Sequence, residues 1–273
     1  MTYLRAEHED EVRRQYTTFK RLINTNHAFL QFINDHAGIR ERILDLGCGM
    51  GCFTMLLAEQ FGAKVEGWDV NDRFLTAARM TAKKNGLGSE KLQYRQIGFF
   101  DAVPPELVRS FDLISFREAI MCIDNPAQLL AWSKQLLTNN GYIAALEPDY
   151  GMTTIYPEIP HWQDFFSAYS QYSAAHGENF AFGRSLLDIF QKARLKDIAV
   201  SPLIEMHTGR DKIALKNFMD IEIQSINQDM DSFVSKTGYS RAKIDEVLNG
   251  MKYLHRYSGA YVQTHMVAIC GKI

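Results

Sequence analysis

One stretch, Ile43-Leu44-Asp45-Leu46-Gly47-Cys48-Gly49-Met50-Gly51-Cys52, constrains the fold more than any other part of the chain. A short apolar run gives way to three alternating glycines, and Phe53 to Phe61 then carries apolar residues at helical spacing, so the order is strand, tight turn, helix. The alternation continues downstream. Lys64 to Val70 repeats the strand signal, and Asn71 to Asn85 is helical, with Asn71 or Asp72 as N-cap and Gly86 as the stop. Strands follow at Leu92 to Ile97, Phe111 to Phe116 and Tyr142 to Leu146, with a helix from Pro126 to Leu137 before the last. Strands that alternate with helices bury both sheet faces and connect by right-handed crossovers, which predicts a doubly wound α/β fold around a mostly parallel sheet.

The flanks follow another pattern. From Glu7 to Ile33 apolar residues recur at near-helical spacing among charges, predicting one or two amphipathic helices. Tyr150 to Phe182 is rich in aromatic residues and has no strand signal; Ser185 to Leu195 is helical, Ile198 to Ile204 strand-like, Asp211 to Tyr257 helical and polar, and Tyr261 to Ile273 a closing strand. No repeat, low-complexity segment or Gly/Pro/Ser-rich linker divides the chain. The expectation is one domain over residues 1–273, with N-terminal cap helices in residues 1–38 and lid insertions at residues 150–182 and 209–258.

Composition narrows the function classes. Thirty Lys plus Arg against 32 Asp plus Glu leave a formal charge of −2, without the basic excess that drives binding to a phosphate backbone. The first ten residues lack the basic-then-apolar order of a secretion signal, and no apolar run approaches the roughly 18 residues of a membrane span, so a cytoplasmic protein is expected. Cys48, Cys52, Cys122 and Cys270 show no paired zinc-site spacing, and no acidic cluster suggests a divalent ion, so no metal is expected.

In open α/β sheets ligands bind beyond the carboxyl ends of the strands, and glycines in the first turn remove the Cβ atoms that would block the approach. The pattern here is DxGxGxG, from Asp45 to Gly51. It departs from the GxGxxG dinucleotide fingerprint because Cys52 stands where the last glycine belongs, and the Lys-Ser/Thr of a phosphate-binding loop is missing. The pattern resembles the first motif of class I S-adenosylmethionine-dependent methyltransferases, and the resemblance runs in order from Glu41 to Pro148. Phe111 to Ala119 is similar to the fourth motif of that class, and Gly141 to Pro148 to its fifth strand.

The resemblance implies a Rossmann-like sheet of seven strands with the last antiparallel, and S-adenosylmethionine as cofactor. It places Asp45, Gly47, Cys48, Gly49 and Gly51 against the methionine part, and Asp69 at the end of the second strand on both ribose hydroxyls, with Val70 beside it. A carboxylate accepts two hydroxyl bonds at once; the plain alternative is Asp69 as a helix N-cap only. Phe116 and Arg117 end the fourth strand on the cofactor side. Many relatives bind the adenine amine through an Asp directly after a glycine, but here Gly98 is followed by Phe99 and Phe100, so the role passes to Asp101, with Phe99 or Phe100 stacking on the ring as the alternative. Tyr3, Arg13 and Gln15 of the opening helix are placed to reach the cofactor, unless that helix presents only a solvated face.

The aromatic run after the fifth strand marks the acceptor side, with Tyr150, Trp162, Phe166 and Tyr172 as its contacts, supported by Met206, Phe218, Met219 and Met251. An aromatic stripe at helical spacing also describes a plain core. His161, His176 and Glu147 are the catalytic candidates, with Asp149 and Glu118 as further carboxylates and His207 and His265, on strand-like segments, ranked below them. The function expected is metal-independent methyl transfer to an O, N or C nucleophile of a small molecule, a secondary metabolite being favoured. The alternatives are a protein or RNA methyltransferase and a non-catalytic protein that binds the cofactor to regulate. Neither a nucleic acid nor a membrane is an expected partner, and a homodimer is left open.

Overall fold

The computed structural model describes residues 11–38 and 40–273; Tyr3 lies outside the described residues. Two helices open the described chain, α1 (Glu11–Arg21) and α2 (Ile23–Ala37). The α/β core follows as β1 (Arg42–Leu46), α3 (Cys52–Phe61), β2 (Lys64–Asp69), α4 (Asp72–Lys84), β3 (Leu92–Gln96), β4 (Phe111–Arg117), α5 (Pro126–Ser133) and β5 (Leu137–Pro148). Beyond it come β6 (Thr154–Tyr156), α6 (Trp162–Ala175), α7 (Leu186–Lys192), β7 (Lys196–Thr208), α8 (Lys212–Thr237), α9 (Arg241–Tyr253) and β8 (Tyr261–Lys272).

The sheet runs β3-β2-β1-β4-β5-β8-β6, with β7 on the other edge of β8. β1 to β5 are parallel, and β8 runs antiparallel to β5, β6 and β7. The expected seven strands and antiparallel closing strand are present, and β6 is an eighth. No strand was expected between Tyr150 and Phe182, because Thr154-Ile155-Tyr156 is too short to show a period. Its pairing with Val262 and its neighbours on β8 makes it a strand.

Strand alternation sorts the side chains into two layers. Ile43, Val65, Leu113 and Ala144 pack under Phe29, Ile33, Phe53 and Leu57 of α2 and α3. Leu44, Leu46, Ile114 and Ile143 face the opposite way, toward Leu129, Leu130, Leu186 and Phe190 of α5 and α7. A third apolar cluster lies apart, where Phe165, Tyr169 and Tyr172 of α6 meet Phe218, Met230 and Phe233 of α8 and Val247 and Met251 of α9. This helical layer meets the sheet at Ala260 and Val262, where β8 begins. Among the described residues no helix is long and apolar enough to cross a membrane.

Candidate active site

A cavity of about 850 Å3 opens between the carboxyl ends of β1, β2 and β4 and the helical layer. Its first wall is built by the glycine turn. Gly47 has φ +74° and Gly49 φ +51°, a region that side chains rarely adopt, and a Cβ on Gly47 would sit 2.8 Å from that of Ala119. The Gly47 and Cys48 amides both donate to the Trp68 carbonyl, at 2.9 and 3.1 Å, which ties the turn to the end of β2. Asp69 closes it: Oδ2 accepts from the Gly49 amide at 2.8 Å and Oδ1 from the Asn71 amide at 2.9 Å. Each carboxylate oxygen has a second lone pair, so two further hydrogens can be accepted from the cavity. The N-cap of α4 is Asn71, whose side chain accepts from the amides of Arg73 and Phe74.

Asp45 is buried on the same wall and accepts the Thr54 hydroxyl at 2.7 Å. Burial pushes its carboxyl up to about 7, against the pull of the Thr54 hydroxyl and Arg117. Burial likewise raises Asp69 from the usual carboxylate range, although its backbone amide donors oppose the shift. Arg117 ends β4 with Nε on the Asn26 side chain at 2.6 Å and Nη1 on Glu118 at 2.9 Å, while Nη2 is buried without a partner among the described residues.

Eight of the eleven residues expected around the cofactor line the cavity: Asp45, Gly47, Cys48, Gly49, Asp69, Val70, Phe100 and Arg117. Gln15, expected from the opening helix, lines it as well, and Arg13 does not. Three of the eleven stand outside the wall. The Gly51 carbonyl accepts the Tyr94 hydroxyl beneath the turn, and Phe116 is buried in the sheet. Asp101 turns its carboxylate back onto the Gly98 amide at 2.6 Å. That closure puts Phe100 at φ 68° and on the cavity wall, so a ring stands where the carboxylate was expected.

The second wall comes from the flanks. Trp162, Phe166 and Tyr169 project from α6 at helical spacing, Ile221, Glu222, Ser225 and Ile226 from α8, Thr18 and Arg21 from α1, and Tyr150 from the turn that follows β5. Tyr150, Trp162, Phe166 and Met251 were expected here. Tyr172 is instead part of the helical core, edge-on to Phe233 at 5.4 Å, with Phe218 and Met219 buried in the same cluster. Met206 is exposed on β7.

None of the three catalytic candidates reaches this wall. His161 precedes α6 with φ 63° and faces Glu246 at 3.5 Å. His176 ends that helix, with Nδ1 on the Tyr172 carbonyl and Nε2 on Lys236. Glu147 is fully buried and accepts from the amides of Ala119, Ile120 and Met121; burial pushes it up to about 8 in spite of them. What Glu147 does is hold the turn after β4, and the residue opening that turn is Glu118, at φ 52° on the cavity wall. Asp149 is paired with Arg184, and His207 with Glu205. His265 pairs with Gln263 along β8.

A wall of strand ends, a glycine turn and a carboxylate one strand further is the arrangement by which this fold class is known, and residues 39–199 match the sequence family of the methyltransferase domain. The chain belongs to this family. It is a class I methyltransferase domain, and the cofactor of such domains is S-adenosylmethionine. The chain is 36% identical over 126 residues to the ubiquinone biosynthesis O-methyltransferase of Nitrosococcus oceani, 46% of this chain and 51% of that protein. The protein of the same description from Photobacterium profundum is 33% identical over 129 residues, 46% and 52% of the two chains. The chain thus spans about half the length of the curated relatives it matches.

Two solved structures share the fold of this methyltransferase domain. Haemonchus contortus phosphoethanolamine N-methyltransferase 2 with S-adenosyl-L-methionine aligns at TM-score 0.52 and 19% identity, over 91% of this chain and 52% of that one. Geranyl diphosphate C-methyltransferase from Streptomyces coelicolor A3(2) aligns at TM-score 0.53 and 15% identity, over 98% and 87%.

Proposed function

We propose that this chain transfers the methyl group of S-adenosylmethionine to an O, N or C nucleophile of a small molecule, a secondary metabolite being the favoured acceptor class. The observation that carries the reading is the continuity of the cavity: the glycine turn and the aromatic wall under α6 and α8 line one continuous space. A space of about 850 Å3 admits a cofactor beside a small acceptor, not a polymer groove. The relatives act as O-methyltransferases in ubiquinone biosynthesis by their names, so a hydroxyl acceptor is the first to test.

The residues present fit the cofactor. The two glycines leave a cradle that a Cβ would fill, Asp69 has lone pairs for two ribose hydroxyls, and the unpartnered Nη2 of Arg117 suits a carboxylate, with Asp45 nearby for an ammonium group. Val70 and Phe100 offer apolar surface to the adenine. When bound, S-adenosylmethionine supplies an electrophilic methyl group on a positively charged sulfur. The chain's part is to place an acceptor in line with that methyl and keep water out, which can account for most of the rate. Trp162, Phe166 and Tyr150 hold the acceptor, and residues 150–182 and 209–258 act as its lid. For a hydroxyl or amine acceptor, Glu118 is a carboxylate on the wall that would take the proton the acceptor gives up.

Incubation of the protein with S-adenosylmethionine and pooled metabolites, followed by mass spectrometry, should show one component gaining a methyl group. Absence of any binding of S-adenosylmethionine or its demethylated product by calorimetry would remove the reading.

A further inference from the structure

Arg21, the last residue of α1, lines the cavity yet its side chain is only 7% exposed. Its Nη1 is paired with the Glu222 carboxylate, and the guanidinium lies over the Phe218 ring at 4.7 Å from the centroid. Its Nε is buried without a hydrogen-bond partner among the described residues, and so is the Thr18 hydroxyl one helical turn earlier, on the same cavity wall. A buried donor left unmade costs its desolvation in full, more so on a charged group, and a guanidinium presents its N–H groups as a planar fork suited to two oxygens at once. Both residues line the cavity, and each keeps a buried donor that an oxygen-bearing anion entering beside it would satisfy.

We propose that Arg21 and Thr18 receive an anionic group of the methyl acceptor, a carboxylate or a phosphate, and that Glu222 is the internal carboxylate this group displaces. The inference rests on the small-molecule methyltransferase reading and adds the charge of the substrate to it.

Position assigns Arg21 to the acceptor and not to the cofactor. The carboxylates that act on Arg21 are Glu222, on the far wall, and Glu205 of β7, whereas Arg117 is the cation that acts on Asp45 and Cys52 at the glycine turn. Burial works against the charge of Arg21, but those neighbours outweigh it and hold the guanidinium protonated. Of the carboxylates, Glu205 is engaged by His207 at 2.6 Å and Glu118 by Arg117. Glu222 is 31% exposed on α8, so its carboxylate has water to move into when an external anion takes its place.

The test uses protein saturated with S-adenosylhomocysteine and three probes of similar ring size: benzoate, phenyl phosphate and uncharged phenol. Calorimetry should show at least one anion binding about tenfold or more tightly than phenol. Benzoate alone would assign a carboxylate, phenyl phosphate alone a phosphate. Arg21→Met should abolish the preference for the anion, and Glu222→Gln should strengthen anion binding by removing its competitor, while both variants bind S-adenosylhomocysteine as the parent does. A purely structural ion pair predicts otherwise: both variants melt earlier and Glu222→Gln gains no affinity for either anion. That result, or equal binding of phenol and both anions, overturns the proposal. Arg21→Lys, which keeps the charge and loses the fork, serves where Arg21→Met does not fold, and it should lose most of the preference. Loss of S-adenosylhomocysteine binding by the parent protein would fail the methyltransferase reading instead.

Discussion

The glycine-turn wall takes its polar groups from residues 45–73 and 97–100, as backbone amides and carboxylates at the ends of neighbouring parallel strands, while the opposite wall takes side chains from α1, β4, β5, α6, α8 and α9. On the first wall a backbone that pairs with itself across the sheet sets every position, as when the amides of Gly47 and Cys48 meet the Trp68 carbonyl. On the second, helix packing alone sets where Trp162 stands relative to Glu222. A wall of strand ends is therefore suited to a constant ligand, and a wall of packed helices to one that differs between relatives.

If the two walls are built independently, damage to one should spare the other. The largest effect is expected at Tyr172, inside the helical layer. Tyr172→Ala removes a buried ring packed on Phe233 and Tyr169, and should cost about 3 kcal/mol or more of stability. Thermal melts should register this, while affinity for S-adenosylmethionine below the transition stays within about twofold. Equal loss of cofactor affinity would mean that the layer holds the first wall in place.

Asp69→Ala attacks the first wall. It deletes two internal acceptors and the site for the ribose hydroxyls, at about 2–4 kcal/mol of cofactor affinity for two hydrogen bonds to a charged group. Calorimetry with the demethylated product measures it directly. A folded variant with unchanged affinity would assign Asp69 to the turn alone.

Trp162→Ala returns to the second wall, at a residue that faces the cavity and stacks on Phe166 at 5.5 Å. Loss of this ring should lower kcat/KM by about 1.5–3 kcal/mol, the value of one buried aromatic contact, with the cofactor Kd nearly constant. A changed Kd with normal turnover would place Trp162 on the cofactor side.

What was legible in the sequence divides along the same line. The order of strands and helices is a local signal, carried by apolar runs and glycines, whereas the antiparallel β8 and the cofactor roles of Asp45, Gly47, Gly49 and Asp69 follow from the resemblance of the glycine turn to the methyltransferase class. β6 left no such trace, since three residues held by β8 alone have no period. Asp101 stands off the cavity wall for a conformational reason: the backbone at Phe100 is left-handed, and the carboxylate three residues after Gly98 folds back onto its amide. His161 and His176 flank α6 and look like acid–base groups in the sequence, but their rings are spent on Glu246, Lys236 and a helix carbonyl. Thr18 and Arg21 sit at i and i+3, which reads only as a charged helix face until α8 is laid over it.

The smallest predicted effect probes the electrostatics of the first wall. Burial raises Asp45 to about 7 in the protein alone, and a cofactor with a positively charged sulfur and ammonium group favours the ionised carboxylate, so binding lowers that value. Above pH 7 Asp45 is mostly ionised before and after binding, and affinity does not depend on this group. Below pH 7 a proton must leave as the cofactor binds, so affinity falls as pH falls, by at most about tenfold per unit for one proton. Asp45→Asn cannot take up or release this proton. Its affinity should be lower than the parent's at pH 8 and nearly level from pH 6 to pH 8, in calorimetric titrations across that range. A parent protein with level affinity would show that Asp45 does not sense the cofactor. A slope retained in Asp45→Asn would move the proton to Asp69, whose carboxyl burial also raises, and so to the ribose end of the same wall.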